Sequence, residues 1–176
     1  MSFKEMVGNR EIHCISMLIS CFGIVEAEQM RRLFDYLSSA QYGSIMSRLR
    51  RDGMFCTSSD ALLLAQNSHA LKALNPDERV MAFEVFIVLR DRITDFSAGD
   101  PPAIAALASN ENDFALIPVL PERIDLINVS AGRIPDETRR LLVTRDLDLV
   151  AGIDRRYKND YVFHITPDKK VETYEL

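Results

Sequence analysis

Long apolar runs are missing from this chain. No stretch approaches the roughly 18 residues that a membrane-spanning helix needs, so a membrane anchor is not expected. Cysteine is scarce, and Cys14, Cys21 and Cys56 show neither a CxxC motif nor a Cys/His ligand spacing, which argues against a structural zinc site. An odd number of cysteines without a signal peptide favours a reduced, cytoplasmic compartment. His13, His69 and His164 fall on separate segments and form no ligand pair. P-loop, GxGxxG, GxSxG and HExxH motifs are all absent, so the chain is read as non-enzymatic, with no catalytic residue, cofactor or metal ion assigned. An excess of basic charge is missing too. With 21 basic against 26 acidic residues and a net charge of -5, the chain is not a generically basic coat for nucleic acid.

What is present is enough apolar residue, 47% of 176, for one ordinary domain or two small ones. The charge is unevenly spread. Residues 1–58 carry seven Lys/Arg and six Asp/Glu, a net of +1, which leaves -6 for the remainder. Two modules with different partners would divide charge in this way. Within the more basic part, Tyr42, Ile45, Met46 and Leu49 fall at i, i+3, i+4 and i+7, the stripe of an amphipathic helix and a core-facing one. Ser38 is placed to cap that helix and Gly53 to end it. Its other face carries Gln41, Ser44, Arg48 and Arg51. Gly43 lies inside the helix, where it costs roughly 1 kcal/mol relative to Ala. A close approach by the preceding helix, or by a phosphate backbone, would account for it.

Two helices precede this one. The first is expected from Arg10 to Phe22, capped by Asn9, with Ile12, Ile15, Ile19 and Phe22 buried and Gly23 closing it. The second, EAEQMRRLFDYL, has Glu26 and Glu28 in its first turn. It buries Ala27, Met30, Leu33 and Phe34 and points Arg31 and Arg32 outward. After Gly53 come two short strand-like runs, Met54 to Thr57 and Ala61 to Gln66, joined by Ser58-Ser59-Asp60. This order, over Arg10 to Gln66, resembles a bacterial winged helix-turn-helix DNA-binding domain. SRLRRDGMF, Ser47 to Phe55, resembles the end of its recognition helix running into the first wing strand. The whole chain is similar to winged-helix proteins of conjugative elements, of the replication–relaxation type, in element order and in the phrase RRLLVTRDLDLV, Arg139 to Val150.

The resemblance implies a sequence-specific binder of double-stranded DNA, a transcriptional regulator or a replication or mobilisation accessory factor of a mobile element. Its candidate DNA contacts are Ser39, Gln41, Ser44, Arg48 and Arg51. Gln41 is suited to adenine, and Arg48 and Arg51 to guanine or phosphate, while Arg31 and Arg32 would hold the backbone. An acidic residue at the wing tip, Asp60, counts against strong phosphate binding there. The alternative is a winged helix used only for protein–protein assembly.

Residues 69–100 are read as a connecting helix and loop, and 101–176 as a small α/β domain of five or six strands, for an α+β chain overall. Asn75-Pro76-Asp77-Glu78 starts the connecting helix, which continues to about Ile93 and is apolar on nearly every side. It would bridge the modules, pack under a sheet or form a homodimer interface. Thr94 to Pro102 is read as a loop, and Ala103 to Ala108 with Phe114 to Leu120 as a hairpin. Ile124 to Ser130 is read as a strand, Pro135 to Arg139 as one helical turn, and Arg140 to Thr144 as a buried strand. Asp146 caps a short helix, and Tyr161 to Thr166 with Lys170 to Tyr174 form a last hairpin. Asp113, Glu122 and Asp125 could in principle converge on a metal as in a nuclease-like site, but no D…ExK spacing accompanies them. Dimerisation or partner binding is assigned to the C-terminal domain.

Overall fold

The computed structural model describes residues 3–135, 137–154 and 160–175. The chain is mixed α+β and forms two compact units, Met1–Pro76 and Asp77–Leu176. The segment 69–100 is therefore divided between the units instead of standing as a connector of its own.

Unit 1 runs α1 (Phe3–Phe22), β1 (Ile24–Glu26), α2 (Ala27–Leu33), α3 (Ser39–Arg51), β2 (Cys56–Thr57), β3 (Leu63–Ala65) and a short α4 (Ala70–Ala73). The three strands are antiparallel in the order β1-β3-β2, with Val25 opposite Leu64. Helices α1 and α3 pack together. Ile15, Leu18, Ile19 and Phe22 from α1 join Met30 of α2 and Leu49 of α3 in a core from which water is almost wholly excluded. Helix α1 starts at Phe3, so Asn9 lies inside it and is not its cap. Glu26 is the N-cap of α2, not part of its first turn, and exchanges capping-box hydrogen bonds with Gln29.

Gly23 ends α1 with φ +74, a left-handed conformation that an L side chain adopts at a cost of about 1–2 kcal/mol. A Cβ added there would also lie 2.6 Å from Leu74 Cδ1. Gly23→Ala should therefore lower the thermal midpoint of unit 1 by several degrees. An unchanged midpoint would show that the turn into β1 tolerates a side chain.

Unit 2 is built on one six-stranded sheet in the order β4-β5-β6-β7-β8-β9. Its strands are β4 (Asp95–Ala98), β5 (Ala105–Ala108), β6 (Asp113–Pro118), β7 (Arg139–Thr144), β8 (Tyr161–Ile165) and β9 (Val171–Glu175). Pairing is antiparallel from β4 to β6, parallel from β6 to β8, and antiparallel again at β9. Helix α5 (Pro76–Leu89) precedes the sheet, and α6 (Ile124–Ser130) crosses from β6 to β7.

Several expectations are corrected here. Helix α5 ends at Leu89, before Ile93, and passes into a 3-10 turn over Arg90–Arg92. Its residues from Val80 to Ile87 are buried, Glu84 among them, while Val88 is exposed. Thr94 to Pro102 is not all loop, because Asp95–Ala98 forms edge strand β4 on β5. Ile124 to Ser130 is helix, not strand. Ile127 and Ala131 are buried while Leu126 and Val129 are exposed, a helical division of one apolar segment. The physical reason is the parallel pairing of β6 with β7, which requires a crossover connection. Pro135 to Arg139 is not a helical turn, since Arg139 already belongs to β7; Asp136 lies outside the described residues. Asp146 does cap a helix, of 3-10 type, over Leu147–Gly152.

One side of this sheet buries Ala115, Ile117, Val119, Leu142 and Val162 against Ile127 of α6 and Val150 and Ile153 of the 3-10 segment. Phe86 of α5 meets Phe96 of β4 edge-on at 5.3 Å between ring centroids. Arg123 links Glu78 at the start of α5 (2.6 Å) to the carbonyl of Pro102 (2.7 Å), holding that helix to the β4–β5 loop. Arg140 and Asp160, only 2% and 3% exposed, form a two-pronged pair inside the unit.

Candidate nucleic-acid interface

The helix that carries most of the candidate DNA contacts is α3, and its ends are set locally. The Ser38 hydroxyl accepts from the amide of Gln41, and the Gln41 carboxamide oxygen accepts from the amide of Ser38 at 3.0 Å. This reciprocal cap satisfies amides that the first turn leaves free. At the other end Gly53 has φ +70 and the Asp52 amide donates to the Arg48 carbonyl at 2.9 Å. Ile45 and Leu49 are buried and Tyr42 and Met46 half-buried, so the predicted stripe faces the core.

The outward face holds Ala40, Gly43, Ser44 and Ser47, all exposed, and ends in Arg48, Arg50 and Arg51. Gly43 decides between two explanations of its presence. A Cβ built there meets nothing within 4 Å, so no neighbouring element of the described structure requires a glycine. The close-packed preceding helix is thereby excluded as the reason.

The candidate residues do not all share one state. Ser39 and Ser44 are exposed. Gln41 is exposed too, but its carboxamide oxygen is held in the cap, so it is not set to make a two-point contact with adenine. Arg48 lies 3.7 Å from Asp52 and reaches Asn9 at 3.5 Å. Arg51 lies 3.7 Å from the same carboxylate and is 76% exposed. Asp52 thus sits between two guanidinium groups. Arg31 departs from expectation: it does not point outward. Its guanidinium donates to the carbonyls of Phe34 (2.7 Å) and Leu37 (3.0 Å) and lies 5.1 Å from the Tyr42 ring centroid. It closes the end of α2 and fixes the turn into α3. Arg32 is exposed.

Sequence periodicity passed over Arg50 and Asp52. Arg50 falls off the i, i+3, i+7 spacing of the polar face, yet it is exposed beside the other two arginines. The signal was the cationic last turn RLRR, where positive charge complements the helix dipole.

The tip between β2 and β3 accounts for its own acid. Asp60 accepts from the Ser58 hydroxyl and from the Leu62 amide at 3.1 Å, while Ala61 takes φ +59. The Ser58 hydroxyl, and then the Leu62 amide, hold the Asp60 carboxyl below its ordinary range. Asp60 therefore builds the turn, and no Lys or Arg stands beside it at Ser58-Ser59-Asp60.

Tyr42 couples this region to pH. Burial pushes its phenol from 10.0 up to about 12, with Arg31 opposing. A folded-state pKa above the unfolded one gives stability that is complete below pH 10 and is lost as pH rises towards 12. Unfolding in urea should show that loss in this window, and Tyr42→Phe should reduce it. An identical alkaline profile in the variant would assign the loss to other groups.

No metal-binding constellation accompanies the interface among the described residues. Asp113 opens β6, Glu122 lies before α6 and Asp125 within it, and no three His, Cys, Asp or Glu residues among those described could hold an ion. His164 faces Glu172 across β8 and β9 at 3.5 Å. Cys14, Cys21 and Cys56 form no disulfide among the described residues. No helix among the described residues is long and apolar enough to cross a membrane. The chain matches no family model, no curated protein and no solved structure in the comparisons made.

Proposed function

We propose that unit 1 is a winged helix-turn-helix domain that binds double-stranded DNA by placing α3 in the major groove. The element order α1-β1-α2-α3-β2-β3 with strand order β1-β3-β2 supports that assignment. The observation that carries it is the outer face of α3. It presents small residues, with Gly43 facing open space, and then three exposed arginines. A face without bulk lets the helix approach base edges closely, and guanidinium groups pair with guanine or phosphate. Arg48, Arg50 and Arg51 supply those contacts, while Arg31 holds α3 in its position from behind. On this reading the protein is a non-catalytic regulator or accessory factor.

The test is binding of a labelled mixed-sequence duplex across a salt titration. Affinity that falls steeply with salt is expected, because each neutralised phosphate releases condensed counterions. Absence of binding at low salt would remove DNA as the partner. A second reading, a protein–protein assembly module, is favoured by the wing. There Leu62 is 64% exposed beside Asp60, with no cation at Ser58-Ser59-Asp60.

A further inference from the structure

The six-stranded sheet of unit 2 has two edges, β4 and β9, and they are built differently. A sheet edge is a row of amides and carbonyls ready to pair with another strand. Proteins block it with short length, proline, lysine, bulges or a covering element. Strand β4 is blocked. It has four residues, its Phe96 amide donates to the Asp95 carboxylate at 2.8 Å, and Pro101 and Pro102 follow closely. Strand β9 is not. Its five residues, Val171–Glu175, pair with β8 in unbroken register and include neither proline nor lysine. Glu172, Thr173, Tyr174 and Glu175 are all exposed, so neither face of the strand is covered. In an antiparallel pair every second residue turns its amide and carbonyl away from the neighbour. On β9 those groups meet no further strand of the sheet.

What β9 carries instead is two glutamates, and their spacing selects a partner. A second copy can extend the sheet with its own β9, antiparallel, about a two-fold axis normal to the sheet. One residue then lies opposite its counterpart. With Thr173 at the axis the whole strand is paired: Glu172 faces the partner's Tyr174 and Val171 faces the partner's Glu175. No carboxylate opposes another. An axis at Glu172 pairs only Val171 to Thr173 and sets two Glu172 carboxylates directly opposite, which is destabilising. An axis at Tyr174 pairs only Thr173 to Glu175. At the Thr173 axis the two threonines can exchange a hydrogen bond. The Tyr174 phenol, which donates to Glu172 of its own strand at 2.8 Å, stands across from the partner's Glu172.

We propose that β9 joins a second copy of this chain, antiparallel about Thr173, so that the two sheets of unit 2 become one. Backbone hydrogen bonds supply the attraction, and the glutamates fix the register. This inference concerns β9 alone and is independent of whether α3 binds DNA.

The test is sedimentation of the full chain over a micromolar-to-millimolar series. The mass should move from that of one chain towards twice that value as concentration rises. Thr173→Lys and Thr173→Glu each set like charges opposite one another at the axis, so each variant should stay monomeric. An equimolar mixture of the two should recover the dimer, because lysine then faces glutamate. Thr173 is exposed, and an unchanged thermal midpoint is the control for folding. Ser97→Lys, exposed on the β4 edge, should leave the dimer intact. A monomer at every concentration would overturn the proposal and leave this edge to a strand of another protein. So would a dimer that survives both Thr173 substitutions, a mixture that stays monomeric, or a dimer lost equally with Ser97→Lys.

Discussion

Arg48→Ala combined with Arg51→Ala should weaken binding of duplex DNA by about 30- to 20,000-fold, since each good arginine contact is worth roughly 1–3 kcal/mol and two are removed. The slope of log affinity against log salt should fall by about 2 if both contact phosphate. Folding should be untouched. Both side chains are more than half exposed, at 53% and 76%, and their only ion-pair partner among the described residues is Asp52, itself 44% exposed. Exposed pairs of that kind are worth about 0–1 kcal/mol. Equal DNA binding by the double variant and the wild type would remove this face from the interface.

Two companion substitutions have informative signs. Asp52→Asn removes the carboxylate that both guanidinium groups now share, so it should raise DNA affinity while changing stability little. Gly43→Ala puts a methyl group where the structure has open space. It should stabilise the helix by about 1 kcal/mol. If α3 lies against a groove, the same methyl should lower DNA affinity. Greater stability with weaker binding separates an intermolecular role for Gly43 from a neutral one. Greater stability with unchanged binding would mean that DNA does not come close to this position.

The second large effect belongs to Arg140 and Asp160. Asp160→Ala should destabilise unit 2 by about 3–5 kcal/mol, because it leaves an arginine charge buried without its carboxylate. In a unit of this size each kcal/mol moves the thermal midpoint by roughly 4–8 °C. The geometry supports the upper part of that range. Arg140 Nε donates to Asp160 Oδ1 at 2.8 Å, a second prong reaches Oδ2, and Nη2 donates to the Asp154 carbonyl at 3.0 Å. One guanidinium thus ties β7 to the residue before β8 and to the end of the 3-10 segment. By contrast the Lys170–Asp168 pair, 77% and 58% exposed, should be removable at little cost. Replacing both buried partners, Arg140→Met with Asp160→Leu, should recover much of the loss, since an apolar pair needs no desolvation of charge. Single variants that lose less than about 1 kcal/mol would show that the pair is not what closes this crossover.

Features governed by neighbours in the chain were legible from the residues alone. The α3 stripe, its Ser38 cap and its Gly53 stop depend on spacings of a few residues, and all three are present. The same local reading held the signal for Gln41. A serine followed three residues later by glutamine is a capping-box pattern, which claims the carboxamide before any base can. The hairpin of β8 and β9 and the cap at Asp146 were readable for the same reason.

Pairings between distant residues were decided by the tertiary structure. Ile124 to Ser130 is rich in β-branched residues, yet parallel pairing of β6 and β7 demands a crossover there and the segment is helical. Asp95–Ala98 has too short an alternation to announce a strand, and becomes one because β5 offers it an edge. Arg31 looks outward on a helical wheel, but the chain reversal after α2 brings two carbonyls and the Tyr42 ring within its reach. Arg140 opens a strand that the sequence reads as buried, but its partner, 20 residues away, is not visible there. By itself the sequence determined the elements whose stability comes from short-range periodicity and capping. Which polar groups are consumed inside the fold, and which remain on the α3 face, depended on long-range packing, because a charged side chain's partner is set by distance in space and not in sequence.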